Sequence, residues 1–282
     1  MGGDAQWAAL TARLGLLRHG GGPADPGPVV AFGTAGPVAA FALPSVGGTV
    51  HEYAALARSL DGCCEVRGIE AAGLYRGAAP LTTLDEIVAR NVEVVRSAQP
   101  EGPYRLIGWS TGGILAYETA RRLEGTGAEV ALVVLVDAPC RIGRWRPDPT
   151  DDLAGLFIGE VLRGLGRPVR SLPQLSAAQQ LTLLADQLAG CPPRPDTLLG
   201  DLERWYAVFV AHAAALSGYR AEMDLEAAGL VISAHGSQDW APYWRGRFRG
   251  GVRELSTTAG HYGCLHLPAV TAAAAAMWEL LT

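Results

Sequence analysis

The chain has 282 residues, of which 49% are hydrophobic and 18% are charged, and this globular composition excludes extensive disorder. All 23 basic residues are arginine, which excludes enzymes that depend on a phosphate-loop lysine, a Schiff-base lysine or a lysine general base. The formal net charge of −5 provides no general positive field for a polyanion, so no nucleic-acid partner is expected.

Three features of the sequence bear on where the protein works. Its five cysteines are an odd number without C-x-x-C spacing, which favours reduced thiols and a cytoplasmic location. Residues 27–50 carry no charge, but prolines and glycines interrupt every helical stretch within them, so no membrane span is expected. Arg13 and Arg18 interrupt the N-terminal apolar stretch, so a secretory signal is not expected either.

The first half of the chain predicts a linker followed by alternating strands and helices. Residues 1–27 end in a Gly/Pro run and form the predicted linker or tail, so the predicted domain spans 28–282. Apolar runs at 37–43 and 130–136 are typical of parallel strands covered on both faces. Between them we predict helices at 50–60, after the capping box of Thr83 and Glu86, and at 111–123, with a strand at 104–109. This alternation predicts a doubly wound, mostly parallel α/β sheet.

The alternation stops between about residues 140 and 225, where helical stretches at 153–165, 176–188 and 198–216 predict a helical lid insertion. Strand patterns return at 230–234 and 252–255, and a helix is predicted at 268–281. The insertion carries more apolar side chains than a thin helical layer can bury internally. We therefore expect Trp205, Phe209 and Phe157 to line a substrate pocket.

Residues 108–112 match the pattern G-x-S-x-G at the point where an apolar strand ends and a helix begins. In that context the glycines permit a strained turn that projects Ser110 clear of the sheet as a nucleophile. A serine hydroxyl needs a base to take its proton. We predict His261, in the loop between the last strand and the last helix, as the base, with His266 as its rival.

Two carboxylates compete to orient that base. Asp137 directly follows the strand at 130–136, and Asp239 follows the strand at 230–234. Both lie beyond the carboxyl ends of strands, where sheets of this kind bind ligands. We favour Asp137, whose other interpretation is a helix N-cap.

An oxyanion hole needs two backbone N–H groups that face the developing negative charge. One comes from the residue after the nucleophile, which here is Thr111. The other comes from a loop after an earlier strand. The Gly-rich stretch at 44–48 provides that loop, and Val46 is its predicted donor.

Four segments resemble the thioesterase domains that end nonribosomal peptide synthetases and, more loosely, those of polyketide synthases. They lie at 43–48 with Tyr53 and Leu56 following, at 68–74, at 99–113 and at 135–139. The resemblance covers about half of the chain and implies an α/β-hydrolase fold. It also implies Ser110 as nucleophile, His261 as base and Asp137 as the acid, because in that family the acid follows the strand after the nucleophile helix. In stand-alone editing thioesterases the acid usually follows the next strand, at the position of Asp239.

The same resemblance implies the partner and the substrate. A phosphopantetheine arm on an acyl or peptidyl carrier protein would deliver a thioester to Ser110, and the domain itself would bind no cofactor or metal. Release by hydrolysis and release by macrocyclisation both remain open. The alternatives are a stand-alone editing thioesterase, a small-ester esterase and a catalytically inactive hydrolase-fold binding module.

Overall fold

A computed structural model describes residues 28–75, 77–144, 152–164, 167–169, 175–189 and 198–281. The predicted linker or tail at 1–27 lies outside the described residues, as do parts of the predicted lid at 145–151, 170–174 and 190–197. Among the helices of the described ranges, none combines the length and apolar character needed to cross a bilayer.

The described residues form a seven-stranded sheet. The strands are β1 (Val29–Phe32), β2 (Val38–Leu43), β3 (Cys64–Ile69), β4 (Tyr104–Trp109), β5 (Val130–Val136), β6 (Ala228–Ser233) and β7 (Val252–Ser256). Their order across the sheet is β1-β3-β2-β4-β5-β6-β7. The edge strand β1 runs antiparallel to β3, and every other neighbouring pair is parallel. The predicted mostly parallel, doubly wound sheet is therefore confirmed.

Helices cover the sheet, and three of them form the segment that connects β5 to β6 along the chain. A 3₁₀ turn (His51–Tyr53) leads into α1 (Ala54–Ser59), followed by α2 (Leu84–Ala98) and α3 (Thr111–Glu124). The helices between β5 and β6 are α4 (Leu153–Gly164), α5 (Ala177–Ala189) and α6 (Leu198–Ala215), and the chain continues through α7 (Ala241–Arg245) and α8 (Ala269–Leu281). The capping box is present at α2, where the Thr83 hydroxyl accepts from the Glu86 N–H at 3.2 Å and a Glu86 carboxylate oxygen accepts from the Thr83 N–H at 3.1 Å.

The sheet is buried on both faces, which explains the uninterrupted apolar run in β5. Successive residues alternate between two hydrophobic clusters, so that Leu106 and Val133 belong to one cluster and Ile107 and Val134 to the other. A third cluster lies among α4, α5 and α6 and includes Phe157, Trp205 and Phe209. The three helices that connect β5 to β6 along the chain thus have a hydrophobic core of their own.

The carboxylate of Glu70, just after β3, is buried, with only 1% of the residue exposed. Burial raises the pKa of Glu70 from 4.5 to about 7, and the Tyr75 hydroxyl that donates to it opposes this rise. Because the pKa in the folded state is the higher one, the folded state is favoured while Glu70 is protonated and loses that advantage as the pH rises through about 7.

We expect Glu70→Gln to remove this pH dependence. Relative to the variant, the wild-type free energy of unfolding should fall by about 3 kcal/mol as the pH rises from below the ordinary carboxyl pKa to above the raised one. Urea unfolding of both proteins at pH values on either side of this interval measures the difference. Parallel pH profiles for the two proteins would contradict the expectation.

Candidate active site

Ser110 lies on the turn between β4 and α3 with φ 55° and ψ −132°, a conformation that is strained for a residue with a side chain. The turn is held in place because the Ser110 N–H donates to the Val136 carbonyl at 2.9 Å and the Gly113 N–H donates to the Ser110 carbonyl at 3.0 Å. Side-chain exposure at Ser110 is intermediate.

The two glycines of the pattern are required by close backbone contacts around this turn. A Cβ on Gly112 would come within 2.7 Å of the Leu43 carbonyl oxygen at the end of β2. A Cβ on Gly108 would collide with the backbone of Gly112 and Gly113. Glycine therefore lets the start of α3 approach the strand ends, and this packing presents Ser110 at the carboxyl edge of the sheet.

Asp137 and His261 are in direct contact, with 2.5 Å between Asp137 Oδ2 and His261 Nδ1. Asp137 directly follows β5 with φ 45°, and its N–H donates to the Ile232 carbonyl at 2.7 Å. Its carboxylate also accepts from the Ala234 N–H at 3.1 Å and from the Ser237 hydroxyl at 2.7 Å. Burial raises the pKa of Asp137, but the hydrogen bonds from His261, Ser237 and Ala234 outweigh it, so the net pKa lies below the usual value.

The rival residues occupy other places. Asp239 is exposed, and its carboxylate accepts from the Ala241 N–H at 3.0 Å at the start of α7. This bond to the residue two positions on is a local turn contact just before the helix, so the Asp239 carboxylate stabilises that turn. His266 is exposed and lines the cleft described below.

Two aromatic residues to which the sequence analysis gave no role in the site hold it together. The Tyr53 hydroxyl accepts from the Trp109 N–H and donates to the Leu43 carbonyl, both at 2.7 Å, so it ties the end of β4 to the end of β2. The Trp109 ring stacks on His261 with 4.8 Å between centroids, and its Nε1–H donates to the His261 carbonyl at 3.1 Å. Trp109 precedes Ser110, so the histidine loop is attached directly beside the serine turn.

A cleft lies between this edge of the sheet and the layer of α4 and α6. Its walls include Ser45 and Gly47 after β2, Trp109, and Trp205 from α6. Phe157 and Phe209 lie in the core behind Trp205, with ring centroids 5.3 Å apart for Phe157 and Trp205, and they do not line this cleft. Of the three aromatic residues expected to contact substrate, the structure brings only Trp205 to the wall of this cleft.

Two side chains of α4 hydrogen-bond to Tyr262, the residue that follows His261. The Tyr262 hydroxyl donates to Glu160 Oε1 at 2.5 Å and accepts from Arg163 Nη1 at 3.2 Å. The Arg163 guanidinium also lies 5.1 Å from the centroid of the Tyr262 ring. All three side chains line the cleft, so one of its walls is polar and charged.

The two predicted oxyanion donors lie on different elements, Thr111 at the start of α3 and Val46 in the loop after β2. Thr111 is the first residue of α3, where an N–H has no acceptor within the helix. Val46 lies inside the tight turn in which the Gly48 N–H donates to the Ser45 carbonyl at 2.9 Å. Within the described ranges, no three His, Cys, Asp or Glu side chains are grouped to hold a metal ion.

Solved structures with this architecture are found among synthetase domains. A four-domain nonribosomal peptide synthetase in its holo form, bound to AMP and glycine, superposes with a TM-score of 0.78 at 24% identity and covers 95% of this chain and 21% of that chain. The thioesterase domain SrfTE, whose structure was described as a basis for cyclization of the lipopeptide antibiotic surfactin, superposes with a TM-score of 0.60 at 18% identity, covering 93% and 99% of the two chains. These likenesses show the α/β-hydrolase fold.

The chain is also similar in sequence to parts of long polyketide and nonribosomal peptide synthases. The polyketide synthase PksR of Bacillus subtilis (strain 168) is 42% identical over 74 residues, which is 26% of this chain and 3% of PksR. The nonribosomal peptide synthetase btyA of Aspergillus terreus is 30% identical over 218 residues, which is 70% of this chain and 22% of btyA. The chain thus spans less than a quarter of either relative. A family model described as "Thioesterase domain" matches residues 40–191, more than half of the chain, and the chain therefore belongs to the thioesterase domain family.

Proposed function

We propose that this domain releases an acyl or peptidyl chain from the phosphopantetheine arm of a carrier protein through a covalent intermediate on Ser110. The observation that carries the proposal is the 2.5 Å contact between Asp137 and His261, in a loop stacked on the neighbour of the strained serine. Similarity to a nonribosomal peptide synthetase and a polyketide synthase supports a carrier-bound thioester as the substrate.

Acylation begins when Ser110 Oγ attacks the thioester carbonyl carbon and its proton passes to His261 Nε2, the ring nitrogen that does not face Asp137. Asp137 has a lowered pKa and is ionised at neutral pH, so it holds the imidazole with a proton on Nδ1 and stabilises the imidazolium. The N–H groups of Val46 and Thr111 donate to the oxyanion. Collapse breaks the C–S bond, and the leaving thiolate takes the proton from Nε2.

Deacylation uses the same groups in the reverse order. Water, or an amine or hydroxyl of the bound chain, transfers a proton to His261 Nε2 and attacks the acyl carbon. The bond between that carbon and Ser110 Oγ then breaks, and Oγ takes the proton from Nε2, which regenerates the serine and yields an acid or a macrocycle. The charged wall formed by Glu160, Arg163 and Tyr262 lines the same cleft as Trp109 and Trp205, and its polar groups suit a substrate with hydrogen-bonding groups such as a peptide.

The proposal is tested by comparing a peptidyl N-acetylcysteamine thioester with the matching oxygen ester. We expect faster release from the thioester, a mass shift on Ser110 while the acyl-enzyme is present, and labelling of Ser110 by a fluorophosphonate. Preference for the oxygen ester would favour a small-ester esterase. Absence of both turnover and labelling would mean an inactive binding module.

Asp137→Asn should lower kcat by about 10⁴-fold, because an amide at this position favours the wrong tautomer of His261. The change is nearly isosteric, and an oxygen at the Oδ1 position still accepts from the Ala234 N–H. The Ser237 hydroxyl, which donates to Oδ2 in the wild type, accepts from the new amide instead, so the loop stays in place. Steady-state hydrolysis of the thioester measures the loss.

Asp239→Asn is the matched control for this experiment, since it removes the same charge from the loop after β6. We expect less than a threefold change in kcat, because an asparagine oxygen still accepts from the Ala241 N–H. A large loss at Asp239 with little loss at Asp137 would overturn the assignment and favour an editing thioesterase.

A further inference from the structure

The turn that carries Val46 packs against one face of helix α6. Trp205, Val208 and His212 share that face, since they are spaced three and four residues apart. A methyl group on Gly48 would come within 2.6 Å of Val208 Cγ1, so the turn and the helix are in direct contact. The position of this turn therefore depends on its packing against helix α6.

Two side chains of α6 bond to the backbone of the turn. Trp205 Nε1–H donates to the Gly47 carbonyl at 2.7 Å. The His212 ring hydrogen-bonds to the Ser45 backbone, and because this bond raises the pKa of the imidazole, the ring is the donor and the carbonyl the acceptor. Among the residues that the structure describes, none hydrogen-bonds to His212 Nδ1, so the donor is Nε2–H.

These bonds act on two linked peptide units. The Ser45 carbonyl and the Val46 N–H belong to one planar peptide unit and point in opposite directions, so a donor that holds the oxygen also aims the N–H. The Gly47 carbonyl and the Gly48 N–H form the second unit, and that N–H donates to the same Ser45 oxygen at 2.9 Å. By holding the carbonyl oxygens of these two peptide units, Trp205 and His212 therefore constrain the direction of the Val46 N–H.

We propose that His212, together with Trp205, is a positioning residue that aims the Val46 N–H at the oxyanion, so that helix α6 sets the geometry of the oxyanion hole. This inference rests on the proposed function. His212 touches no substrate in this arrangement and acts only through the Ser45–Val46 peptide unit.

The chemistry of His212 fits this role better than it fits simple packing. The residue is only 2% exposed, and a buried ring nitrogen without a hydrogen-bond partner is unfavourable, a disadvantage that leucine would avoid. Burial lowers the pKa of His212 to about 4, the bond to Ser45 opposes this, and Arg90 adds to the lowering. The ring is thus neutral at physiological pH, with its single proton on the nitrogen that faces Ser45.

The test compares His212→Leu with His212→Gln on a short-chain N-acetylcysteamine thioester. Leucine fills the site but removes the donor, and we expect kcat to fall by about 10- to 100-fold with KM changed less than about threefold. Glutamine places an N–H near the position of Nε2, and we expect it to restore kcat to within about fivefold of wild type. Tyr206→Phe, which removes a hydroxyl from the same helix, is the control and should change kcat less than twofold.

Trp205→Phe gives a second reading that does not depend on the folding of the leucine variant. It keeps an aromatic ring in the cleft but removes the donor to Gly47, and we expect kcat to fall at least about threefold. Equal losses in the leucine and glutamine variants, or wild-type kcat in both the leucine and the Trp205 variant, would overturn the inference. A wild-type protein without Ser110-dependent turnover would contradict the proposed function itself, so the two failures are distinguishable.

Discussion

Replacing Ser110 with alanine should abolish thioester turnover, lowering kcat on the order of 10⁶-fold, because no other group can form the acyl-enzyme. The backbone bonds of the turn, from the Ser110 N–H to Val136 and from Gly113 to the Ser110 carbonyl, do not involve the hydroxyl. The fold should therefore be retained. Thiol release from the N-acetylcysteamine thioester, with mass spectrometry of the protein, measures both turnover and the missing intermediate.

The control for this experiment is the unfolding midpoint, which should match that of the wild type to within a few degrees. An alanine variant that is folded and keeps more than a few per cent of wild-type activity would remove Ser110 from the mechanism. A variant that loses activity only because it unfolds would be recognised by its circular dichroism.

His261→Ala should lower kcat by about as much as the loss of Ser110, because the members of a catalytic triad act as a unit and removing either the nucleophile or the base disables it. The ring that is lost is the one that contacts Asp137 at 2.5 Å and stacks on Trp109. Single-turnover acylation, followed by mass spectrometry, measures the rate of the step that needs the base.

His266→Ala is the matched control, because His266 also lines the cleft and belongs to the same loop region. It should change kcat less than about fivefold, with any effect falling on KM, since uniform binding contacts change KM and not kcat. The reverse ranking of the two histidines would move the base to His266.

The sequence alone determined the central strands and the serine turn, and the reason is local. β2 and β5 are covered on both faces, so their continuous apolar runs predict them without any knowledge of their neighbours. The serine turn could be recognised because both positions leave no room for a side chain. Position 112 lies against the end of β2 and position 108 against the start of α3, so both are glycine in the pattern. Capping chemistry revealed the start of α2 in the same way.

Other elements could not be predicted, because their residues carry a weak or ambiguous pattern. In β3, Glu65 and Arg67 interrupt the apolar run, and only the folded chain shows them paired at 2.7 Å on one side of the strand. Helix α7 has five residues, too few for a helical period to appear. Both elements are stabilised by tertiary contacts: β3 by pairing with β1 and β2, and α7 by burying Ala241 and Trp244 in the core.

Only the tertiary structure decided which carboxylate contacts the histidine and which lid residues face the cleft. Asp137 and Asp239 both follow strands of the sheet, and although the sequence favoured Asp137, the contact itself is tertiary. Asp137, at φ 45°, lies against His261, while the Asp239 carboxylate accepts from the Ala241 N–H at the start of α7. The apolar residues of α4 and α6 have one periodicity whether they face a cleft or a core, so the sequence could not separate Trp205 from Phe157 and Phe209. His212 likewise lies inside a helix with no pattern that sets it apart in the sequence, and only its hydrogen bond to the Ser45 backbone indicates a role. The physical reason is that long-range contacts, and not the local pattern, determine which face of a buried helix lies against the site.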